Sequence, residues 1–184
     1  MLFKNLFVAA LCAIQASAAV ITPQVKESSH ALEPSAILVS RADKLIEAGA
    51  ETGTINDSIY THGLATCPGI VASGKHKKKD GVTKVLAHVR CGNFKNHLDD
   101  WVNKVHASGM TDIKVLIYIL DHTKVDKGLQ ATQKMINDYA KSSAMKVKSG
   151  YAVATRTDPA APSPQDKLRV DKAGAIYVAD KKAL

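Results

Sequence analysis

Two strand-like segments, separated by a basic turn bounded by glycines, constrain the fold of this chain most strongly. The segments are Ile70–Ser73 and Val82–Val89, and the turn between them runs from Gly74 to Gly81. Apolar β-branched residues favour strands, and an Asp-Gly pair such as the one that ends this turn is typical of a hairpin. The sequence therefore predicts an antiparallel β-hairpin whose lysine-rich tip is solvated.

The rest of the chain alternates between helical and strand-like patterns, which predicts a single α+β domain. Asn93 is a candidate cap for a helix that ends near Gly109, and the apolar run Ile113–Leu120 suits the middle of a sheet. Further helices are expected over residues 35–48 and 123–141, and further strands near 147–156, 168–170 and 175–178. We therefore expect an α/β sandwich in which a mixed β-sheet core of about six or seven strands is flanked by about three helices.

The first residues have the pattern of an export signal. Lys4 is followed by an apolar run and by Ala16-Ser17-Ala18, which is typical of a cleavable signal peptide. We expect residues 1–18 to be removed, residues 19–33 to form a flexible leader and residues 34–184 to form one domain. Because no later segment reaches the ~18 apolar residues of a spanning helix, we expect a secreted, extracellular protein without a transmembrane segment.

The positive charge of the chain sets weak limits on its partners. The net charge is +8, and it would fall to +7 without residues 1–18, because Lys4 is the charged residue that they contain. A positive surface attracts acidic proteins, anionic headgroups or nucleic acids. Aromatic residues make up only 5% of the chain, and no stretch interleaves them with basic residues for base stacking. We expect an acidic protein partner and no obligatory nucleic acid.

The predicted hairpin also brings a cysteine close to a histidine. If Gly74 faces Gly81, then Cys67 lies directly opposite His88. Directly opposed residues have Cβ atoms ~4.5–5.5 Å apart, which is close enough for a contact between thiol and imidazole. A neighbouring imidazole favours the thiolate, which is the nucleophilic form of cysteine. Pro68 lacks an N–H and is expected to bend this strand.

Cys91 offers Cys67 a second partner. After removal of residues 1–18 these are the two cysteines of the chain, and paired cysteines are common in exported proteins. In the predicted register, however, Cys91 lies three residues beyond the position opposite Cys67, roughly 10 Å away and on the other face. The register therefore favours a free thiol at Cys67, although a sharp bend at Gly92 would allow a disulfide.

The segment Thr61-His-Gly-Leu-Ala-Thr-Cys67 resembles the Thr-x-Gly-Leu-Gly-Ser-Cys signature of the bacterial chemoreceptor glutamine deamidase family, CheD. Ala87-His88-Val89 resembles the histidine-containing strand of the same family. The catalytic domains of the cytotoxic necrotizing factor toxins share this cysteine–histidine arrangement. The resemblance covers about residues 58–180 and implies that residues 34–184 form a CheD-like deamidase domain, with Ala65-Thr66 in place of the Gly-Ser of the family.

The resemblance implies a hydrolase without a cofactor that converts protein glutamine to glutamate through a thioester. Cys67 would be the nucleophile, His88 the general base and acid, and Thr61 would orient the imidazole or the substrate amide. Gly63 and Thr66 would contribute substrate or oxyanion contacts. Water or an amine could resolve the thioester, so deamidation and transglutamination both stay open. Such a protein would be a monomeric toxin or effector that acts on a glutamine-bearing protein of another organism.

Two other function classes also stay open. A secreted nuclease or nucleic-acid binder would use the positive charge, with His62 and His88 as an acid–base pair. A non-catalytic secreted interaction protein would keep the fold and use its surface. The histidines have no paired metal-ligand spacing, so no metal is expected. The lysines at 75–79 are expected to be solvated or, if they lie beside an active site, to steer an acidic partner toward it.

Overall fold

The computed structural model describes residues 43–148, 150–160 and 165–184. These residues lie in one compact unit. The expected signal peptide, the expected leader and most of the expected helix over 35–48 lie outside the described residues.

Ten strands of the described residues form two five-stranded sheets. In chain order they are β1 (Lys44–Leu45), β2 (Gly49–Thr54), β3 (Ile59–Thr61), β4 (Gly69–Lys75), β5 (Val82–His88), β6 (Thr111–Leu120), β7 (Ala152–Arg156), β8 (Leu168–Val170), β9 (Ile176–Val178) and β10 (Lys181–Lys182). The central sheet has the order β2-β5-β4-β6-β7, and its β6–β7 pair is parallel. The outer sheet has the order β1-β3-β8-β9-β10, and its β1–β3 pair is parallel. Every other pair is antiparallel.

Two α-helices of the described residues pack on the central sheet. They are α1 (Phe94–Ala107), which packs against β2 and β5, and α2 (Gln130–Val147), which packs against β6. Short 3-10 turns at Cys91–Asn93, His122–Lys124 and Lys127–Leu129 precede them. Neither these helices nor any other helix among the described residues is long and apolar enough to cross a membrane.

The central sheet is covered on both faces, which explains the apolar runs of its strands. On one face Ile70 and Ala72 of β4 join a core cluster with Trp101 of α1, whose indole N–H donates to the carbonyl of Val85 at 3.1 Å. On the opposite face Val71 joins a second cluster with residues of the outer sheet. The architecture is therefore a layered α/β sandwich: helices, central sheet, outer sheet.

The structure confirms the main elements that the sequence predicts. The hairpin is β4–β5, the apolar run at 113–120 lies within β6, and the expected helix after Asn93 is α1, which buries Leu98, Trp101, Val102 and Val105. The turn between β8 and β9 has Gly174 in a left-handed conformation with φ 83°. The mixed α+β class is confirmed as well.

Other details of the prediction are wrong. The end of the expected helix over 35–48 is extended, because Lys44–Leu45 pairs as β1 with β3. The second long helix begins at Gln130 rather than near 123, since the Asp121 carboxylate accepts the N–H of Thr123 at 2.9 Å and starts a separate 3-10 turn. The strands form two sheets instead of one core of six or seven, and two helices replace the expected three in the described part of the chain.

Candidate functional site

The candidate site residues meet where β4 begins and where β5, β6 and β7 end. Gly69, the first residue of β4, lies opposite His88 at the end of β5 and opposite Tyr118 near the end of β6. Because β7 runs parallel to β6, with Arg156 opposite Leu120, its end lies at the same edge. We call this the site edge. The lysine-rich tip of the β4–β5 hairpin lies at the opposite edge.

His88 points from the central sheet toward the outer sheet. Its neighbours Ala87 and Val89 pack on the helical side, whereas Leu86, on the same face of β5 as His88, packs against the outer sheet. The His88 side chain is buried, and its Nδ1 lies 2.9 Å from Oγ1 of Thr61, the buried last residue of β3. This hydrogen bond between the sheets fixes the orientation of the imidazole.

Cys67 lies in the loop of residues 62–68, which carries the chain from the outer sheet to the central sheet. Gly63 and Ala65 in this loop have left-handed backbone conformations, with φ values of 68° and 25°. Such φ values are costly for residues with a Cβ, so Ala65 is a strained position. Strained backbone often accompanies functional loops, and here it lies two residues before the thiol.

The predicted register of the hairpin is wrong by two residues, because Gly69 rather than Cys67 lies opposite His88. Pro68 does not bend a strand, since β4 begins after it; its missing N–H removes no ladder bond, and its carbonyl accepts the N–H of Val89 at 3.0 Å. His88 nevertheless lies near enough to Cys67 to lower the pKa of its thiol. The loop of residues 62–68, rather than the register of β4 and β5, places the thiol near the imidazole.

The expected separation of the two cysteines is also wrong. The Sγ atoms of Cys67 and Cys91 are 3.0 Å apart, and both thiols are free and half-buried. Strand β5 ends at His88, and the chain then turns into the 3-10 turn at Cys91–Asn93 instead of continuing as a strand. This turn directs Cys91 back toward the loop, where Oγ1 of Thr66 lies 3.6 Å from its sulfur.

The surroundings of Cys67 stabilise its thiolate. A hydrogen bond from the Cys91 side chain is the largest cause, and it acts against burial, which favours the neutral thiol. A hydrogen bond with His88, the backbone N–H of Cys91 and the positive charge of His88 add to it. Together they lower the pKa of Cys67 from 9.0 to about 4. The pKa of Cys91 is raised, because its thiol donates to Cys67 and is buried. The reactive thiolate therefore belongs to Cys67.

Arg156, which the sequence analysis missed, binds the loop of residues 62–68 through its guanidinium. Its buried guanidinium donates to the carbonyl of Ala65 and, at 3.3 Å, to the carbonyl of Cys67, and it lies over the ring of Tyr118 at 5.4 Å. These bonds fix the peptide group before Thr66 and the one after Cys67. Little in the sequence indicated this role, because Arg156 is a single arginine at the end of a strand. The carbonyls that it binds belong to residues about 90 positions away in the chain.

Asp166, also missed, anchors the other end of the loop. Its Oδ2 accepts the N–H of Gly63 at 2.7 Å, and its buried Oδ1 has no hydrogen-bond partner among the described residues. Gly63 is therefore tied to the protein through its N–H, and an oxyanion role for that N–H requires the bond to Asp166 to break. The hydroxyl of Thr66 faces Cys91, so a substrate contact by Thr66 stays a prediction.

The other candidate groups lie apart from this cluster. His62 is exposed and stacks near Tyr60, with ring centroids 6.1 Å apart, whereas His88 is buried. The tip of the hairpin lines a cavity of about 280 Å³ together with Lys172 and Gly174. Since β4 separates this cavity from Cys67 by roughly 20 Å at ~3.3 Å per residue, the lysines do not lie beside the thiol. Among the described residues no group of three His, Cys, Asp or Glu side chains could hold a metal ion.

The site edge thus combines a stabilised thiolate, an oriented imidazole and a clamped loop. This arrangement supplies a nucleophile and a proton carrier, which are the two elements that acyl transfer from an amide requires. Comparison with known proteins does not assign the chain to a family. No protein-family model matches the chain, and no curated protein matches it.

Proposed function

We propose that this protein is a secreted cysteine hydrolase that deamidates glutamine side chains of another protein. Two observations carry the proposal: the hydrogen bond between Thr61 and His88, and the pKa of Cys67, which Cys91 and His88 together lower to about 4. A half-buried thiol without a function needs no such stabilisation, whereas perturbed pKa values are concentrated at functional sites. The resemblance of Thr61–Cys67 and Ala87–Val89 to the CheD deamidases supports the same chemistry.

In the first step the Cys67 thiolate attacks the carboxamide carbon of a glutamine side chain. Because Nδ1 of His88 is bonded to Thr61, Nε2 is the ring nitrogen left to serve the thiol and the leaving group. The protonated imidazole gives its proton to the departing nitrogen, so that ammonia leaves and a thioester on Cys67 remains. An amide nitrogen is a poor leaving group, which is why this proton transfer is required.

In the second step the neutral imidazole removes a proton from water. The resulting hydroxide attacks the thioester carbon, the bond to sulfur breaks, and the substrate protein leaves with a glutamate side chain in place of the glutamine. The Cys67 thiolate and the protonated His88 are restored. Thr61 holds the ring in position through both steps, as the third member of such constellations does in cysteine and serine hydrolases.

The bonds from Arg156 and Asp166 fit a positioning role. Acyl transfer requires the sulfur to lie within a few tenths of an ångström of its productive position. Arg156 fixes the carbonyls of Ala65 and Cys67, and Asp166 fixes Gly63, so the loop presents the thiol from a rigid frame. The backbone N–H of Cys67 is a further candidate oxyanion donor.

Ammonia release from a glutamine-rich protein such as casein tests the proposal. The reduced wild-type protein should convert glutamine to glutamate, detected by peptide mass spectrometry, and Cys67→Ser should lower the rate by at least about 10³-fold. The control is Ser73→Ala, at a residue of β4 away from the site edge, which should retain the wild-type rate.

The outcomes of this assay separate the function classes. If a primary amine is added and becomes attached to glutamine, the thioester is formed but resolved by transfer rather than by water. RNA degradation that persists in Cys67→Ser would indicate a nuclease instead. No conversion over a panel of glutamine-rich proteins, together with slow alkylation of Cys67, would contradict the hydrolase and favour a non-catalytic interaction protein.

A further inference from the structure

The short distance between the two sulfur atoms allows a disulfide bond as well as the hydrogen bond that stabilises the thiolate. At 3.0 Å the Sγ atoms of Cys67 and Cys91 are only about 1 Å beyond the ~2.05 Å of a disulfide bond. The chain that joins them contains the whole β4–β5 hairpin, and the two cysteines are 24 positions apart. Both cysteines lie outside the strands, Cys67 in the loop before β4 and Cys91 in the 3-10 turn after β5, so a shift of about 1 Å in these segments would close the bond.

We propose that Cys91 is a resolving cysteine, which closes a reversible disulfide with Cys67 and thereby switches the nucleophile off under oxidising conditions. The bond itself follows from the geometry of the two cysteines, whereas its effect on activity rests on the function proposed above. Reduction by a small thiol restores the Cys67 thiolate. A secreted protein would then be latent outside cells and active where thiols are reduced.

The oxidant in this scheme is a low-molecular-weight disulfide, such as oxidised glutathione. The Cys67 thiolate attacks one sulfur of the oxidant, the S–S bond of the oxidant breaks, and one small thiolate leaves. Cys91 then loses its proton to water and attacks the Cys67 sulfur of the mixed disulfide, and the second small thiolate leaves. Two protein thiols are oxidised while one small disulfide is reduced to two thiols.

The site favours each of these two steps in turn. The thiolate form of Cys67 makes it the first attacker, and its partial exposure lets a small disulfide reach it. The main cause that raises the pKa of Cys91 is its hydrogen bond to Cys67. That bond is lost once Cys67 carries glutathione, so Cys91 becomes more acidic and more nucleophilic when it is needed.

The same contacts make the disulfide easy to reduce. A thiolate stabilised by neighbouring groups is a good leaving group and stabilises the reduced state, as in oxidising members of the thioredoxin family. His88 contributes to this stabilisation of Cys67. The equilibrium between dithiol and disulfide should therefore shift toward the disulfide when His88 is replaced, by about 10-fold for each unit by which the pKa of Cys67 rises.

Equilibration of the full chain with defined ratios of reduced and oxidised glutathione tests the proposal. Acid quenching, alkylation and peptide mass spectrometry should find a Cys67–Cys91 disulfide without retained glutathione in the wild type. Cys91→Ser, which keeps a hydroxyl donor beside Cys67 and Thr66, should instead retain one glutathione on Cys67. His88→Gln should require a more reducing ratio for half-reduction than the wild type.

Two results would overturn the proposal. One is a wild type that keeps both thiols, or accumulates glutathione on Cys67 as Cys91→Ser does, since Cys91 then does not resolve the mixed disulfide. The other is deamidation by the disulfide form at the rate of the reduced form, since the bond then does not switch the site. If the disulfide forms but the reduced protein shows no activity either, the function proposed above fails while the disulfide stands.

Discussion

Lys84 and His88 lie on the same face of β5 and are both buried between the two sheets, yet the structure holds them in opposite ways. The ammonium of Lys84 donates to the carbonyls of Thr54 at 2.9 Å, Asp57 at 2.6 Å and Lys172 at 3.5 Å. An ammonium has three N–H donors, so each has an acceptor. Burial lowers the pKa of Lys84, and the charges of Asp57 and Asp171 offset only part of this effect.

His88 is held on one side only. Thr61 fixes its Nδ1, and the thiol of Cys67 is a partner that can lose and regain a proton. The comparison shows how one strand can place two buried polar residues for different purposes. A group whose hydrogen bonds are all made to the backbone stabilises the fold, whereas a group with one fixed partner and one titratable partner is prepared for chemistry.

Replacement of His88 should give the largest effect and the clearest separation of the two roles. His88→Gln keeps a polar side chain beside Thr61 but cannot carry the proton, so deamidation should fall by about 10²–10⁴-fold while the melting temperature changes little. Enzyme assays and thermal unfolding of the reduced protein measure the two effects. His76→Gln, at the other end of the same hairpin, is the matched control and should leave the rate unchanged.

Replacement of Lys84 should give the converse result. Lys84→Met leaves backbone carbonyls without a donor between the sheets, so the free energy of unfolding should fall by about 2–3 kcal/mol. The deamidation rate per folded molecule should stay at the wild-type level. Denaturant titration measures the loss, with the exposed Lys114→Met on β6 as a control that should be nearly neutral. A stable Lys84→Met protein with impaired chemistry would break the distinction between the two residues.

A smaller effect is expected for the hydroxyl that orients His88. Thr61→Val keeps the shape of the side chain but removes the bond to Nδ1, so kcat should fall by about 10–100-fold, less than the ~10⁴-fold loss known for a charged orienting residue. Thr83→Val is matched to it, because Oγ1 of Thr83 is buried without a partner among the described residues. Equal losses of activity in the two variants would show that Thr61 acts through packing alone.

Sequence reasoning captured those parts of the molecule that depend on local patterns. The β4–β5 hairpin and α1 follow from apolar periodicity and turn residues, and these are local signals. The influence of His88 on the Cys67 thiol was also predicted, although through a register that is wrong by two residues. Because a register error of two residues keeps each side chain on the same face of the sheet, the predicted orientation of His88 was unaffected. The loop before Pro68 then places Cys67 near it.

The parts that the sequence did not reveal depend on contacts between distant segments. Cys91 approaches Cys67 because β5 stops at His88 and a 3-10 turn that contains Gly92 follows; the glycine allowed this bend, but the predicted register favoured a continued strand. Arg156 and Asp166 reach the loop only because β7 and the outer sheet end beside it. The division into two sheets is likewise a property of long-range packing rather than of any single segment.

The most direct test of the central claim is the pH dependence of Cys67 alkylation by iodoacetamide in the reduced protein. Peptide mass spectrometry separates the product at Cys67 from that at Cys91, and circular dichroism checks the fold at each pH. Because only the thiolate reacts, the rate should be near its maximum at pH 6 and should fall to half near pH 4. Cys91→Ala should move this midpoint to higher pH, since it removes the largest stabilising hydrogen bond. A wild-type midpoint between about 8 and 9, as for an ordinary thiol, would contradict the claim that the site holds an activated nucleophile.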